Sequence, residues 1–403
     1  MNKYFTVFFC YYILISCSTK QNQKDFPLEG NNYTIYLDGV KEESISLSSL
    51  FKNVQTIILE TNDDCLIGRI NRLQVFDGNI YILDSHIAKS LFVFDMEGKF
   101  IRKIGGFGQG PGEYIEVRDF TFDAENRIIF ICDIRNRIHK YQLNGTYINS
   151  ISIQSPDSQA HFIQFYNGKL YSNCIERKPN QNDYLLLEID PKDGIILSRS
   201  LPKKYNKGWN ELLFFENGGF FISRANNPPR INLMFMDYII SIGEGNTPYL
   251  ELKSKNLTTE KDIESFRGKA PMPINQENIL SSKKIFNVHY FIENNNFICF
   301  RCGFTPSTTF AVLFDKKIEE VKLFKIFSND FIFKQDRNGW MGNFIFSDLK
   351  GAYEILDTQN SFIIDYFQNA IKNNEVIPDL DKFDQLSKLD KDSNPVIFYY
   401  EFK

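Results

Sequence analysis

The sequence predicts an all-β chain folded as a six-bladed β-propeller with four-stranded antiparallel blades, closed by pairing of N- and C-terminal strands. Three observations predict it. Of 403 residues, 15% are aromatic, with 39 Phe and 20 Tyr, and such side chains favour strands over helices. A hairpin pattern recurs six times: an apolar strand, a short turn rich in Asn, Asp and Gly, then a second apolar strand. Its spacing is 48 residues from Gly78 to Asn126, 41 from Asn126 to Asn167 and 50 from Gly168 to Gly218, close to the roughly 40–50 residues of a propeller blade.

Residues 1–16 read as a targeting segment that precedes the fold. Lys3 gives a positive start, and the apolar run Tyr4 to Ile15 is shorter than the roughly 20 residues a spanning helix needs. The run ends in Leu14-Ile15-Ser16-Cys17, which resembles the lipobox of bacterial lipoproteins. That resemblance implies a lipidated Cys17 as the new N-terminus, and each buried acyl CH₂ would contribute about 0.8 kcal/mol of anchoring. Residues 17–32 are then the lipidated Cys and a polar tether, and the membrane itself is an expected partner. The expected address is the cell envelope, lipid-anchored at the outer membrane of a bacterium. No acidic run follows Cys17 to select the periplasmic or the surface face.

Residues 33–403 are expected to form one propeller. The hairpins, in chain order, are Leu73 to Asp77 with Ile80 to Asp84, Phe120 to Asp123 with Ile128 to Asp133, and Phe162 to Tyr166 with Lys169 to Asn173. They continue as Leu212 to Glu216 with Gly219 to Ser223, His289 to Glu293 with Phe297 to Arg301, and Ala352 to Leu356 with Ser361 to Tyr366. Asn-Gly and related pairs accept the positive φ of tight hairpins. The longer interval of 77 residues from Gly218 to Asn295 implies an insertion at about 253–284, with a short helix over Thr258 to Arg267 capped by Thr258 or Thr259. Val54 to Glu60 and Asn394 to Phe402 are the strands expected to close the ring, which removes exposed edges. Asp381 to Leu389 reads as a surface helix with Phe383, Leu386 and Leu389 on one side.

The stretch Leu91 to Gly105, followed by Gly108-Gln109-Gly110-Pro111-Gly112-Glu113-Tyr114, resembles the NHL-type propeller repeat. With Leu66-Ile67-Gly68-Arg69-Ile70 and the C-terminal Asn394-Pro395-Val396-Ile397 strand, the mature chain is similar to the six-bladed β-propeller lipoproteins of Bacteroidota. The resemblance implies a fold and an address, and no shared chemistry.

Motifs that carry chemistry are sparse. The 46 Lys plus Arg against 50 Asp plus Glu leave a net charge of −4, so no global basic surface attracts nucleic acid. The glycines from Gly105 to Gly112 lack the following helix that a phosphate-binding loop requires, because Tyr114 to Asp123 continues as strand. Cys299 and Cys302 have C-x₂-C spacing, yet on a strand residues three apart point to opposite faces and cannot grip one ion. No metal site and no cofactor is evident. His86, His139, His161 and His289 are scattered over the blades, and Asp84 and Asp133 are expected to bond turn amides.

A ligand would sit where the inner strands open at one end of the ring. Arg69, Arg118, Asp119, Arg224 and Arg301 lie on or beside predicted strands there, and guanidinium groups suit carboxylates, phosphates and sugar hydroxyls. The expected function is an envelope-anchored, non-catalytic binding or scaffolding protein with a small-molecule, glycan or protein partner. The alternatives are a propeller hydrolase, lactonase or lyase acting at the central channel, with or without a metal, and a structural member of an envelope complex that docks through 253–284.

Overall fold

The computed structural model of the protein describes residues 33–176, 183–209, 219–221, 228–243, 245–266, 279, 281–303, 309–334 and 342–403. The targeting segment, Cys17 with its tether, Leu212 to Glu216, Arg224 and much of the 253–284 insertion lie outside the described residues.

Six sheets follow one another around a ring. Blade 1 comprises Arg72–Phe76, Asn79–Asp84, Ser90–Asp95 and Phe100–Ile104; blade 2 comprises Val117–Asp123, Ile128–Asp133, Arg137–Gln142 and Tyr147–Ser152. Blade 3 comprises Ser158–Tyr166, Lys169–Glu176, Tyr184–Ile189 and Ile196–Pro202; blade 4 comprises Gly219–Phe221, Arg230–Asn232, Tyr238–Ser241 and Thr247–Lys253. Blade 5 comprises Val288–Glu293, Phe297–Cys302, Phe310–Asp315 and Glu320–Ser328. Blade 6 takes Phe344–Ser347, Gly351–Leu356 and Val396–Phe402 from the C-terminal part and Phe51–Ile58 from the N-terminal part. Within each blade the first-named strand is the innermost described one, and these strands meet between blades 2 and 3, 3 and 4, 5 and 6, and 6 and 1. The turns behave as their residues require: Asp77 and Gly78 have φ of 51° and 73°, and Asn167 and Gly168 have φ of 48° and 76°, the two positive angles of a type I′ hairpin.

Ring closure follows the expected pairing. Val396 to Phe402 runs antiparallel to Phe51–Ile58, from Val396 opposite Ile58 to Phe402 opposite Phe51. The same N-terminal segment also forms a belt. Tyr33–Tyr36 lies parallel to the outer strand Thr247–Lys253 of blade 4, and Lys41–Ser46 lies parallel to Glu320–Ser328 of blade 5.

The core is a set of layers between neighbouring blades. Tyr81 and Leu91 of blade 1 pack with Phe120 and Ile129 of blade 2, and Cys132 and Ile138 of blade 2 pack with Ile163 and Leu187 of blade 3. The layer at blades 5 and 6 gathers Cys299, Ala311, Phe324, Phe344, Phe398 and Tyr400 with Leu47 and Phe51. Cys302 belongs instead to the layer facing blade 4, so the two sulfurs of the C-x₂-C sequence sit on opposite faces of one strand. Glycine is needed where the third-to-fourth-strand turn of one blade abuts its neighbour. A Cβ on Gly98, at φ 89°, would lie 2.2 Å from the Ile58 carbonyl oxygen, and one on Gly194, at φ 80°, would lie 2.2 Å from that of Ser152.

One hairpin expectation changes. Ser361 to Tyr366 is not the second strand of a sixth hairpin; Ser361–Lys372 is an α-helix whose Asn360 side chain accepts from Ile363 N. Its buried residues Ile364, Phe367 and Ala370 fall at helical spacing, and Gly351–Leu356 pairs with Phe344–Ser347 and Val396–Phe402. In blade 4, Gly219–Phe221 bonds to Arg230–Asn232 and is the innermost described strand. The helix expected in the insertion is present as Glu260–Phe266. Thr259 Oγ1 accepts from Asp262 N at 3.2 Å, and Ile263 is buried with Trp209, Phe235 and Phe286. The C-terminal surface helix is a single turn, Phe383–Leu386, with Leu386 buried.

Candidate functional site

Each inner strand begins at the end of the ring where the second strand of its blade finishes, because the two run antiparallel. Close to that end, several inner strands carry a bulge. The pairing register shifts between Val117 and Asp119 in blade 2, between Ala160 and Ile163 in blade 3, between His289 and Ile292 in blade 5, and between Phe344 and Phe346 in blade 6. A bulge inserts an extra residue and re-aims its side chain. The residues released in blades 2, 3 and 5 include Arg118, His161 and Tyr290, and Tyr290 has a φ of 54°. Positive φ is rare for an aromatic residue and marks a backbone held by its surroundings.

These residues fall into two electrostatic groups at this end of the inner strands. Burial pushes the Tyr290 hydroxyl up, and Arg301 of blade 5, Glu354 of blade 6 and Arg69 at the start of blade 1 all act on it electrostatically. Blades 5 and 1 are not neighbours, yet Arg69 acts electrostatically on Tyr290 past blade 6. His161 belongs to the other group. Its basicity is pushed down to about 4 by burial, with Arg118 of blade 2 and His86 of blade 1 adding to the effect. His289 pairs across its hairpin with Arg301 and is pushed down to about 3 by burial and then by Arg301. Both imidazoles are therefore neutral near pH 7.

The loops beneath the arginines are fixed by carboxylates. The Asp84 carboxylate accepts from Gly68 N at 2.7 Å, Arg69 N at 3.0 Å, His86 N at 3.2 Å and Ile87 N at 2.8 Å. It thus holds both sides of the mouth at blade 1. Arg301 is buried, with its guanidinium 5.3 Å from the Phe327 ring centroid. Glu354 accepts from Asn343 N and from Tyr400 Oη, each at 3.0 Å, and burial raises its pKa to about 7.

Of the residues expected to bind ligand, Arg69, Arg118 and Arg301 are brought to the mouth. Asp119 is not available there. It is fully buried, 3.1 Å from Arg72 Nε of blade 1, and it accepts from Ile163 N of blade 3 at 2.8 Å. Burial lifts its pKa to about 6 against the pull of Arg72, and its role is to tie three blades together. Gln74 Nε2 donates to Phe120 O and Phe165 N donates to Thr121 Oγ1, each at 3.0 Å, so the same axis carries further cross-blade bonds. Arg224 lies outside the described residues.

His161, His86, Tyr290 and Glu354 were not marked by local sequence patterns as binding residues; only their position just before or just inside an inner hairpin could have indicated them. A second polar chain lies within blade 2. Asp133 Oδ2 is 3.0 Å from His139 Nε2, His139 Nδ1 is 2.9 Å from Ser150 Oγ, and Ser150 Oγ is 2.8 Å from Tyr147 Oη. Asp133 also accepts from Arg135 N and Arg137 N, so this chain cross-links the blade's second, third and fourth strands. Among the described residues no group of three His, Cys, Asp or Glu side chains is arranged to hold a metal ion.

A family model described as "Domain of unknown function (DUF4934)" matches residues 33–401. No curated protein matches the chain. Among solved structures, the chain is similar to a protein from Bacteroides fragilis NCTC 9343 named as an exported protein, with 17% identity and a TM-score of 0.69, covering 92% of this chain and 99% of that one. Matches with TM-scores of 0.39 to hydrazine synthase from Kuenenia stuttgartiensis and 0.38 to BamB from Moraxella catarrhalis have 10% and 8% identity. They cover 67% of this chain in each case, and 68% and 69% of those chains.

Proposed function

Because the chain belongs to the family described as Domain of unknown function (DUF4934), we propose a function read from its own side chains: a lipid-anchored binding protein of the bacterial envelope that takes its ligand at the mouth of the ring. The observation that carries the binding reading is the meeting of Tyr290 with Arg69, Arg301 and Glu354, contributed by blades 5, 1 and 6. A rigid ring that buries charged groups around its axis is suited to a small molecule held between blades. The envelope address is supported by the Leu14-Ile15-Ser16-Cys17 sequence and by the neighbour from Bacteroides fragilis, which is named as an exported protein. Lipidation of Cys17 fits both, as does the resemblance to Bacteroidota lipoproteins with NHL-like repeats.

Expression in a bacterial host with labelled palmitate tests the anchor. Label should enter the wild-type chain and be absent from C17A; equal labelling of both would remove the lipid anchor. Binding is tested by purifying the chain from its native envelope and identifying tightly held small molecules by native mass measurement. A retained species lost from R69Q supports the mouth, and one retained equally by R69Q places binding elsewhere.

A further inference from the structure

From the composition of the mouth, we infer that its ligand is a small hydroxylated oxyanion, a carboxylate or a phosphate borne on an otherwise uncharged polar molecule. This rests on the reading of the mouth as the binding site. Arg69, Arg118 and Arg301 supply the cationic groups that act on Tyr290 and His161. The carboxyl facing them from blade 6, Glu354, is half-protonated near pH 7, because burial raises its pKa to about 7. Three guanidinium groups are thus present at this end, beside the Glu354 carboxyl and the Asp84 carboxylate that holds the loop at Arg69. In a site removed from water a guanidinium favours an anion, and it offers a planar fork that matches carboxylate and phosphate oxygens.

The hydrogen-bonding atoms point the same way. Among the described residues, Arg118 Nε and His161 Nδ1 are buried and have no hydrogen-bond partner. A buried donor or acceptor left unsatisfied costs about 1–3 kcal/mol, so a pair of them at adjacent bulges is a place prepared for a ligand. Arg118 can donate to an oxyanion. Neutral His161, His289 and the Tyr290 hydroxyl each exchange hydrogen bonds with uncharged groups, and hydroxyls are the groups that both donate and accept. One charged end with a hydroxylated body satisfies both halves of the site.

The test compares three probes that differ only at C6: D-glucuronate, D-glucose 6-phosphate and D-glucose, titrated calorimetrically into the full mature chain at about 0.15 M salt. The expected result is binding of one or both anions with at least tenfold preference over glucose, and a loss of at least tenfold in R118Q, which corresponds to about 1.4 kcal/mol. The tighter of the two anions identifies carboxylate or phosphate as the recognised group. R69Q serves as a second variant, and thermal melts establish that each variant is folded. Equal binding of glucose and glucuronate, weakened together by R118Q or R69Q, would leave the mouth as the binding site and overturn its anion preference. Anion binding untouched by both variants, or no heat from any probe, would overturn the mouth assignment along with it.

Discussion

Blades 4, 5 and 6 each carry a piece of the N-terminal segment on their outer edge, whereas blades 1, 2 and 3 end at their own fourth strands. The two halves of the ring share apolar layers between blades and differ in what is added to them. In the belted half, Ile35 and Leu37 join the layer between blades 4 and 5, and Leu47, Leu50 and Phe51 join the layer between blades 5 and 6. In the unbelted half, an axial set of blade-to-blade bonds runs through Arg72, Asp119 and Ile163 N and through Gln74 and Thr121, beside outer ones such as Arg102 to Leu143 O. Blades 4 and 5 add one buried ionic group, in which Glu293 faces Arg230 Nε at 3.4 Å and Lys316 Nζ at 2.6 Å. Similar blades can thus be joined by apolar layers and inner polar bonds together, and closure adds the backbone pairing of Val396–Phe402 with Phe51–Ile58.

The largest effect is expected from deleting residues 394–403. This removes the strand between Gly351–Leu356 and Phe51–Ile58 and should abolish the cooperative thermal melt; a soluble truncation with unchanged melting would break the closure argument. Deleting residues 33–46 removes the belt while leaving the closing strand. Ile35 and Leu37 are almost fully buried, and burial of two such side chains contributes about 3–6 kcal/mol. Faster amide exchange is expected at Thr247–Lys253 and Glu320–Ser328, and unchanged protection there would show that the belt is decorative.

The contrast between halves is sharpened by F51A and D119A, each expected to cost about 3–5 kcal/mol, the first by leaving a cavity and the second by stranding the half-buried Arg72 and the buried Ile163 N–H. Limited proteolysis should cut F51A first within blades 5 and 6 and D119A first within blades 1 to 3. Identical first cuts would show that the ring fails as one unit.

A smaller effect concerns Glu354, whose pKa of about 7 in the folded chain lies above its ordinary 4.5. The folded form binds the proton more tightly, so this stabilisation is complete below about pH 4.5 and is lost as pH rises through about 7. The full swing is about 3 kcal/mol. Denaturant unfolding measured from pH 4.5 to 8 should show a flatter profile for E354Q than for the wild type; parallel profiles would remove Glu354 as the source.

Much of the ring was legible because hairpin turns carry local chemistry: Gly78, Asn167 and Gly168 each mark a turn that the structure contains. Closure was legible too, since two apolar strands at opposite ends of a repeat array have few other partners. The sixth hairpin misled because Ser361 to Tyr366 is a short apolar run without clear alternation, and only its continuation to Ala370 reveals the helical period. The belt was missed because Tyr33–Tyr36 and Lys41–Ser46 are short strands that pair in parallel with distant blades, with no turn between partners. In the mouth, Arg69, Arg118 and Arg301 could be suspected from their strand positions. Tyr290 and His161 could not, because a bulge changes which face a residue takes, and Asp119 looked available only while its partner Arg72 in the preceding blade was unseen.

The belt also sets the order in which the molecule would yield to mechanical load. Tension on the chain ahead of Tyr33 reaches first the four-residue strand beside Thr247–Lys253, then Lys41–Ser46, and only afterwards Phe51–Ile58. The two short parallel contacts act as fuses in series, able to detach while the ring stays shut.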